Sequence, residues 1–301
     1  MSSQEIYLPS VEDDRRHVPG PGALPWWNES FWFPMYDPKL DLGIVFRSGA
    51  FPLAGTANLY LFIVHRGLVV YGISDQQATP SAMQPDRLVM DNGLSIEWLE
   101  PLRSFRLRYA HGALTFDLEW SAISPPFKYL HPADLTIEQM TRHIEQGGRA
   151  RGTVTLGGTV HEFDGYAHRD HSFGGDRDWD KFYRWTYLSG EIDDFWFNAV
   201  RIKFSPEMDW IRVGCLWDGR ELLNLQDVEI HVETADGNTR ATAVSAVITD
   251  ERGRRHRIVS DGVLGTAPVR IWRTWLRDSF VRYRMEDRTG YGILEHGYLE
   301  D

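Results

Sequence analysis

The chain has 301 residues, 42% of them hydrophobic and 25% charged, a globular composition with enough apolar residues for one large core or two modest ones. A net charge of −11, a sequence pI near 5.5 and the absence of a long Lys/Arg cluster exclude the electrostatic footprint of a nucleic-acid binder. No run approaches the roughly 18 apolar residues that span a bilayer, so neither nucleic acid nor an integral membrane segment is expected.

The N-terminal MSSQEIYLPSVEDDRR shows neither the apolar core of a signal peptide nor a basic amphipathic transit pattern, and the single Cys215 can form no internal disulfide. A cytosolic protein is the expectation. Next comes VPGPGALPWWNESFWFPMYDP (18–38), whose Pro, Gly and aromatic residues predict an irregular arm anchored by rings against a barrel mouth.

Period-2 alternation then predicts strands at 42–48, 57–65, 67–72, 94–99, 105–110 and 114–120. Helical periodicity is weak and confined to 134–145 and 176–183. After Gly147-Gly148 the alternation resumes at 151–156, 185–190, 193–204, 210–219, 222–234, 241–249 and 256–260. Breaks at Asp218-Gly219, Asp236-Gly237, Arg252-Gly253 and Asp261-Gly262 read as hairpin turns. Many short strands without intervening helices predict an all-β, antiparallel barrel or sandwich; two barrel-like domains and one large sheet system both fit.

One stretch does not fit a plain strand. In GYAHRDHSFGG (165–175), alternation puts Tyr166, His168 and Asp170 on one face and Ala167, Arg169 and His171 on the other, so neither face is cleanly apolar. Such a strand is either a solvated edge or the lining of a polar cavity, and its glycines suggest bends beside a site. Three chemistries use these residue types. A metal site is opposed by ligands that point to opposite faces, with no matching His or Cys cluster elsewhere. A Ser172 hydrolase lacks a G-x-S-x-G elbow. The third is acid/base work, with Asp170 as proton donor or acceptor and His171 or His168 orienting it. A carboxyl in an aromatic pocket stays protonated nearer neutrality, whereas Arg169 beside it favours the ionised form.

The segment Asp164-Gly165-Tyr166-Ala167-His168-Arg169-Asp170-His171-Ser172-Phe173-Gly174 resembles the G-x-x-x-x-D-H-x-x-G signature of the carotenoid hydratase (hydroxyneurosporene synthase)-like superfamily of lipocalin-related proteins. It is similar above all to uncharacterised bacterial members with R-D-H-S-W-G. NESFWFPMYDP (28–38), EQGGRARGTVTLGG (145–158) and GYGILEHGY (290–298) agree in character, so the likeness spans nearly the whole chain. It departs at Phe173, where those members usually have Trp, and at Arg169, where the hydratases tend to have His. The resemblance implies two lipocalin-like β-barrel or sandwich domains with few short helices, divided as 1–175 and 176–301. It also implies acid/base work at Asp170 and His171.

The expected function is therefore a cofactor-independent enzyme that hydrates, isomerises or cyclises an apolar isoprenoid-, terpenoid- or steroid-like substrate. The alternative is a non-catalytic carrier or sensor of an apolar ligand. Asp170, His171 and His168 are the expected catalytic residues. Arg169, Tyr166, Trp185, Tyr187, Trp196, Asn198, Trp217 and Glu295 are the expected substrate contacts. No metal and no cofactor are expected, and a homodimer is left open.

Overall fold

The computed structural model describes residues 8–75, 80–84, 86–129, 142–235 and 239–300. As expected, the described chain is nearly all antiparallel strand, and it divides into two compact units: Leu8–Ile63 with Tyr71–Arg177, and Val64–Val70 with Asp178–Asp301.

The first unit begins with a short helix, α1 (Val11–Asp14), capped by Ser10 and Asp13 in a reciprocal capping box. Its strands are β1 (Asn28–Asp37), β2 (Leu42–Phe51), β3 (Thr56–His65), β4 (Leu68–Asp75), β5 (Pro80–Gln84), β6 (Arg87–Met90), β7 (Leu94–Glu100), β8 (Ser104–His111), β9 (Leu114–Ala122), β10 (Phe127–Lys128), β11 (Arg142–Leu156) and β12 (Thr159–Gly174). They form one sheet in the order β4-β3-β2-β1-β12-β11-β9-β8-β7-β6-β5, with β10 paired to β11. Strands β7, β8 and β9 alternate buried and exposed residues, so one face packs inward. The sheet curls until strands far apart in its order meet: Phe33 on β1 packs on Phe105 of β8 (6.0 Å between ring centroids), and Phe46 on β2 on Phe116 of β9 (6.0 Å). The aromatic wealth of the sequence thus goes first into a core.

The second unit is a closed barrel of β13 (Arg184–Ile192), β14 (Phe195–Lys203), β15 (Ile211–Trp217), β16 (Leu222–Ala235), β17 (Arg240–Asp250), β18 (Arg255–Ile271), β19 (Thr274–Met285) and β20 (Arg288–Leu299). Closure by β13–β20 pairing leaves no unpaired edge. Leu188, Phe197, Ala199, Leu216, Val281 and Leu294 belong to the core that fills it.

Three local expectations are corrected. Of the expected irregular arm at 18–38, residues 18–27 form neither helix nor strand, but residues 28–37 form β1, buried throughout, between β2 and β12 in the sheet. The Pro34 that argued against a strand falls where the β1–β12 ladder skips from Trp32↔Asp170 to Met35↔Ala167, so its missing N–H removes no bond there. Of the expected helix at 134–145, residues 134–141 lie outside the described residues, and 142–145 are strand because they pair with β12; 176–183 yields only a 3-10 turn, Trp179–Lys181. Asp261-Gly262 is no hairpin but an irregularity inside β18, where the register against β19 shifts between Ser260 and Gly262. Asp236-Gly237 lies outside the described residues.

Candidate functional site

Strand β12 carries GYAHRDHSFG into the middle of the first sheet, between β1 and β11. Its alternation divides the motif as the sequence predicts, and the two faces have different partners. Phe163 and Ala167 belong to the hydrophobic core, and Arg169 and His171 share their side. His168 and Asp170 point to the other face.

On the inward face everything is buried and tied to the N-terminal segment. Arg169 Nη1 donates to Asp14 Oδ1 (2.5 Å) and its Nε to Gln146 Oε1 (2.9 Å), and its guanidinium lies 4.7 Å from the Phe105 centroid and 5.5 Å from that of Trp120. Asp14 also accepts from the Leu102 backbone N–H, and its own carbonyl accepts from Trp98 Nε1. His171 stacks on Phe31 (4.4 Å), with Nε2 3.0 Å from Glu29 Oε1 and Nδ1 3.8 Å from Asp14 Oδ1. Burial alone would push the imidazole down, but Glu29 and Asp14 outweigh it and lift His171 to about 9. Burial likewise pushes both carboxyls up, and the opposing cations win: Arg169 and His171 hold Asp14 below its ordinary value, and His171 and His17 do so for Glu29. This cluster is an imidazolium clamped between two carboxylates beneath α1.

On the outward face lies a relay with an opening to solvent. Arg177 Nη2 donates to His143 Nε2 (3.4 Å), which leaves the ring proton on Nδ1, and Nδ1 donates to Asp170 Oδ1 (3.3 Å). The His143 and Asp170 side chains are 20% and 17% exposed, whereas Glu145 and His168 behind them are sealed. Burial favours the neutral form of Asp170, but His143 and Arg177 prevail and hold its carboxyl below the usual range. His168 is pushed down to about 3 by burial, against Asp170 and with Arg169; the neutral ring donates from Nε2 to Glu145 Oε2 (2.8 Å). Trp32, cross-strand from Asp170, meets the His168 ring edge-on at 6.0 Å.

The expected catalytic trio is therefore split: His168 shares the Asp170 face, while His171 lies across the sheet. Arg169, expected at the substrate, is enclosed with Asp14 and Gln146, and Tyr166 is buried on the Asp170 side, cross-strand from Tyr36. Ser172 bonds Ser30 Oγ (2.7 Å) and is reached by Arg177, not by a histidine. The remaining expected contacts fall in the barrel unit. Trp185, Tyr187, Trp196, Asn198, Trp217 and Glu295 share the face opposite its core, with Tyr187↔Glu295 and Trp196↔Trp217 as cross-strand pairs and Trp185 Nε1 donating to Glu295.

Sequence reasoning missed His143, Glu145, Arg177, Asp14, Glu29 and His17. The i, i+2 spacing of His143 and Glu145 was the available signal, hidden because 134–145 was read as helical. It also missed that strands combine ligands: His143, Glu145 and Asp170, and His17, Glu29 and His171, each bring three potential ligand atoms within 4.8 Å of one another. Arg177 acts on Asp170 in the first set and Arg16 interacts with Glu29 in the second, and a positive charge beside each set disfavours a cation there.

The fold and the site together define a two-unit, all-β protein of the kind that carries a polar cluster on one inner strand. A family model described as a domain of unknown function (DUF7064) matches residues 10–298, and the chain belongs to that family. No curated protein matches the sequence. Among solved structures the chain is similar to kievitone hydratase from Nectria haematococca (TM-score 0.63, 15% identity, 91% of this chain and 90% of that one). It is also similar to CghA (0.65, 11%, 99% and 98%), a protein solved as well with Sch210972. A third is a protein assigned as AttH from Nitrosomonas europaea (0.57, 13%, 93% and 98%). At these identities the likeness is one of fold. No helix among the described residues is long and apolar enough to cross a membrane.

Proposed function

We propose that the chain is a cofactor-independent acid/base enzyme of the carotenoid hydratase-like kind, acting on an apolar isoprenoid-, terpenoid- or steroid-like substrate, and that Asp170 is its general base. The observation that carries this reading is the Arg177–His143–Asp170 relay: the only members of the motif's outward cluster with an opening to solvent are an ionised carboxylate and the histidine that donates to it.

An ionised Asp170 cannot protonate an isolated alkene. It can take a proton from a carbon made acidic by an adjacent carbonyl, and His143 Nδ1–H, which donates to the carboxylate, keeps it ionised and oriented before the transfer, after which the negative charge lies on the substrate enolate. That chemistry starts an isomerisation, a dehydration and its reverse, or a cyclisation through an enolate. Glu145 and His168 fix the floor of the site. The hydratase among the fold relatives supports the hydration branch, and CghA, solved with Sch210972, supports a ligand-binding role for the fold.

The test is to incubate the chain with a panel of unsaturated terpenoid and steroid ketones, following isomer formation and the addition or loss of water by mass. Asp170→Asn should lower turnover by about 100-fold or more, the scale of a lost general base, with circular dichroism unchanged. Undiminished turnover in that variant would overturn the proposal.

A further inference from the structure

The inward face of the barrel changes character along its length. Leu188, Ala199 and Leu294 belong to the apolar core, but two residues nearer the end where β13 starts and β14 stops, the same face carries Thr186, Arg201 and His296. Cross-strand pairing sets these in one row, Arg201↔Thr186↔His296↔Arg277, and the next row adds Arg184↔Tyr298. Paired residues on one face have Cβ atoms roughly 5 Å apart, so three Arg side chains arise around one histidine and their charges act on it.

Nothing anionic balances them. Arg201 reaches Thr186 Oγ1 (3.4 Å) and the Trp210 ring (4.6 Å), Arg277 reaches the Tyr298 hydroxyl (3.4 Å) and the Trp275 ring (4.3 Å), and Arg184 lies against the Tyr183 ring (5.7 Å). None of the three meets a carboxylate among the described residues. His296 is 4% exposed, and both of its ring nitrogens lack a hydrogen-bond partner. Burial and the charges of Arg184, Arg201 and Arg277 hold that ring down at about 4, so it is neutral near pH 7. Burial together with Arg212 and Arg184 lowers Arg201 in the same way. In a chain of net charge −11, ample carboxylates exist to pair with such a cluster. Half-buried, unpaired like charges destabilise a fold unless a ligand neutralises them.

We propose that this end of the barrel is a phosphoryl-binding site, in which Arg184, Arg201 and Arg277 hold the oxygens of a phosphate group while His296 and Thr186 donate hydrogen bonds to it. A phosphoryl group carries about −1.5 to −2 charges near neutrality and offers three acceptor oxygens, one for each guanidinium fork arriving from a different strand. A planar carboxylate occupies two such forks and leaves the third unsatisfied. The site uses none of the residues around Asp170 and does not depend on the function proposed above.

The full-length chain is titrated with inorganic phosphate by calorimetry and by thermal unfolding, with potassium chloride and malonate as controls at matched ionic strength. Phosphate should bind saturably and raise the unfolding temperature above both controls. Arg277→Gln and Arg201→Gln should each weaken binding about tenfold or more, and each should unfold at a higher temperature than the parent in phosphate-free buffer, because a repelling charge has gone. Sedimentation with vesicles containing phosphatidic acid, reversed by phosphate, would assign the phosphoryl group to a lipid headgroup, and its absence to a soluble phosphate compound. The proposal is overturned by no saturable response to phosphate, by an equal response to malonate, or by unchanged affinity in both variants.

Discussion

Adjacent residues of β12 do opposite jobs, and a proton decides each. His171, lifted from 6.5 to about 9, contributes stability that is fully present below pH 6.5 and is lost as pH rises through about 9, on the order of 3 kcal/mol in all. His168 and His296, lowered to about 3 and about 4, act the other way, so stability is lost as pH falls below 6.5. Unfolding temperature measured from pH 4 to 10 should therefore peak near 6.5, and His171→Gln should flatten the alkaline limb alone; an unchanged limb would disprove the clamp. Asp14→Asn leaves Arg169 buried without its counter-charge and should cost about 3 to 5 kcal/mol by denaturant unfolding. The sequence showed that the motif was polar on both faces. It could not show that Asp14 and Glu29 claim one face and His143 and Arg177 the other, because Asp14 and Glu29 lie 155 and 142 positions from Arg169 and His171, and His143, 27 positions from Asp170, lies in a segment whose sequence pattern is helical.

At the scale of elements, β12 works because its neighbours press close on both sides. A Cβ on Gly165 would lie 2.2 Å from the Tyr36 carbonyl oxygen, and one on Gly148 of β11 2.3 Å from the Trp120 ring. Gly165→Ala must push β1 away from β12 and should cost about 3 kcal/mol, near the upper end for overpacking. A chemical-denaturation midpoint equal to the parent's would show that β1 yields freely. Strand existence was legible in strands with one wet face such as β7 to β9, because alternation survives there. It failed for β1, which is buried on both faces and so carries no alternation, and whose Pro34 and aromatic doublets imitate a loop.

For the whole molecule, the fold class followed from many alternating runs without helices, and the relatives share that fold at 11 to 15% identity. What such distant relatives have in common is an architecture, and each site must then be argued from its own residues. In this chain the proposed chemistry turns on whether Asp170 removes a proton. The direct measurement is deuterium wash-in from D2O at the acidic carbon of a β,γ-unsaturated steroid ketone, followed by NMR for the parent chain and for Asp170→Asn. The account predicts exchange with the parent and none above the uncatalysed rate with the variant. Equal exchange by both, or none by the parent while it turns the ketone over, would contradict it.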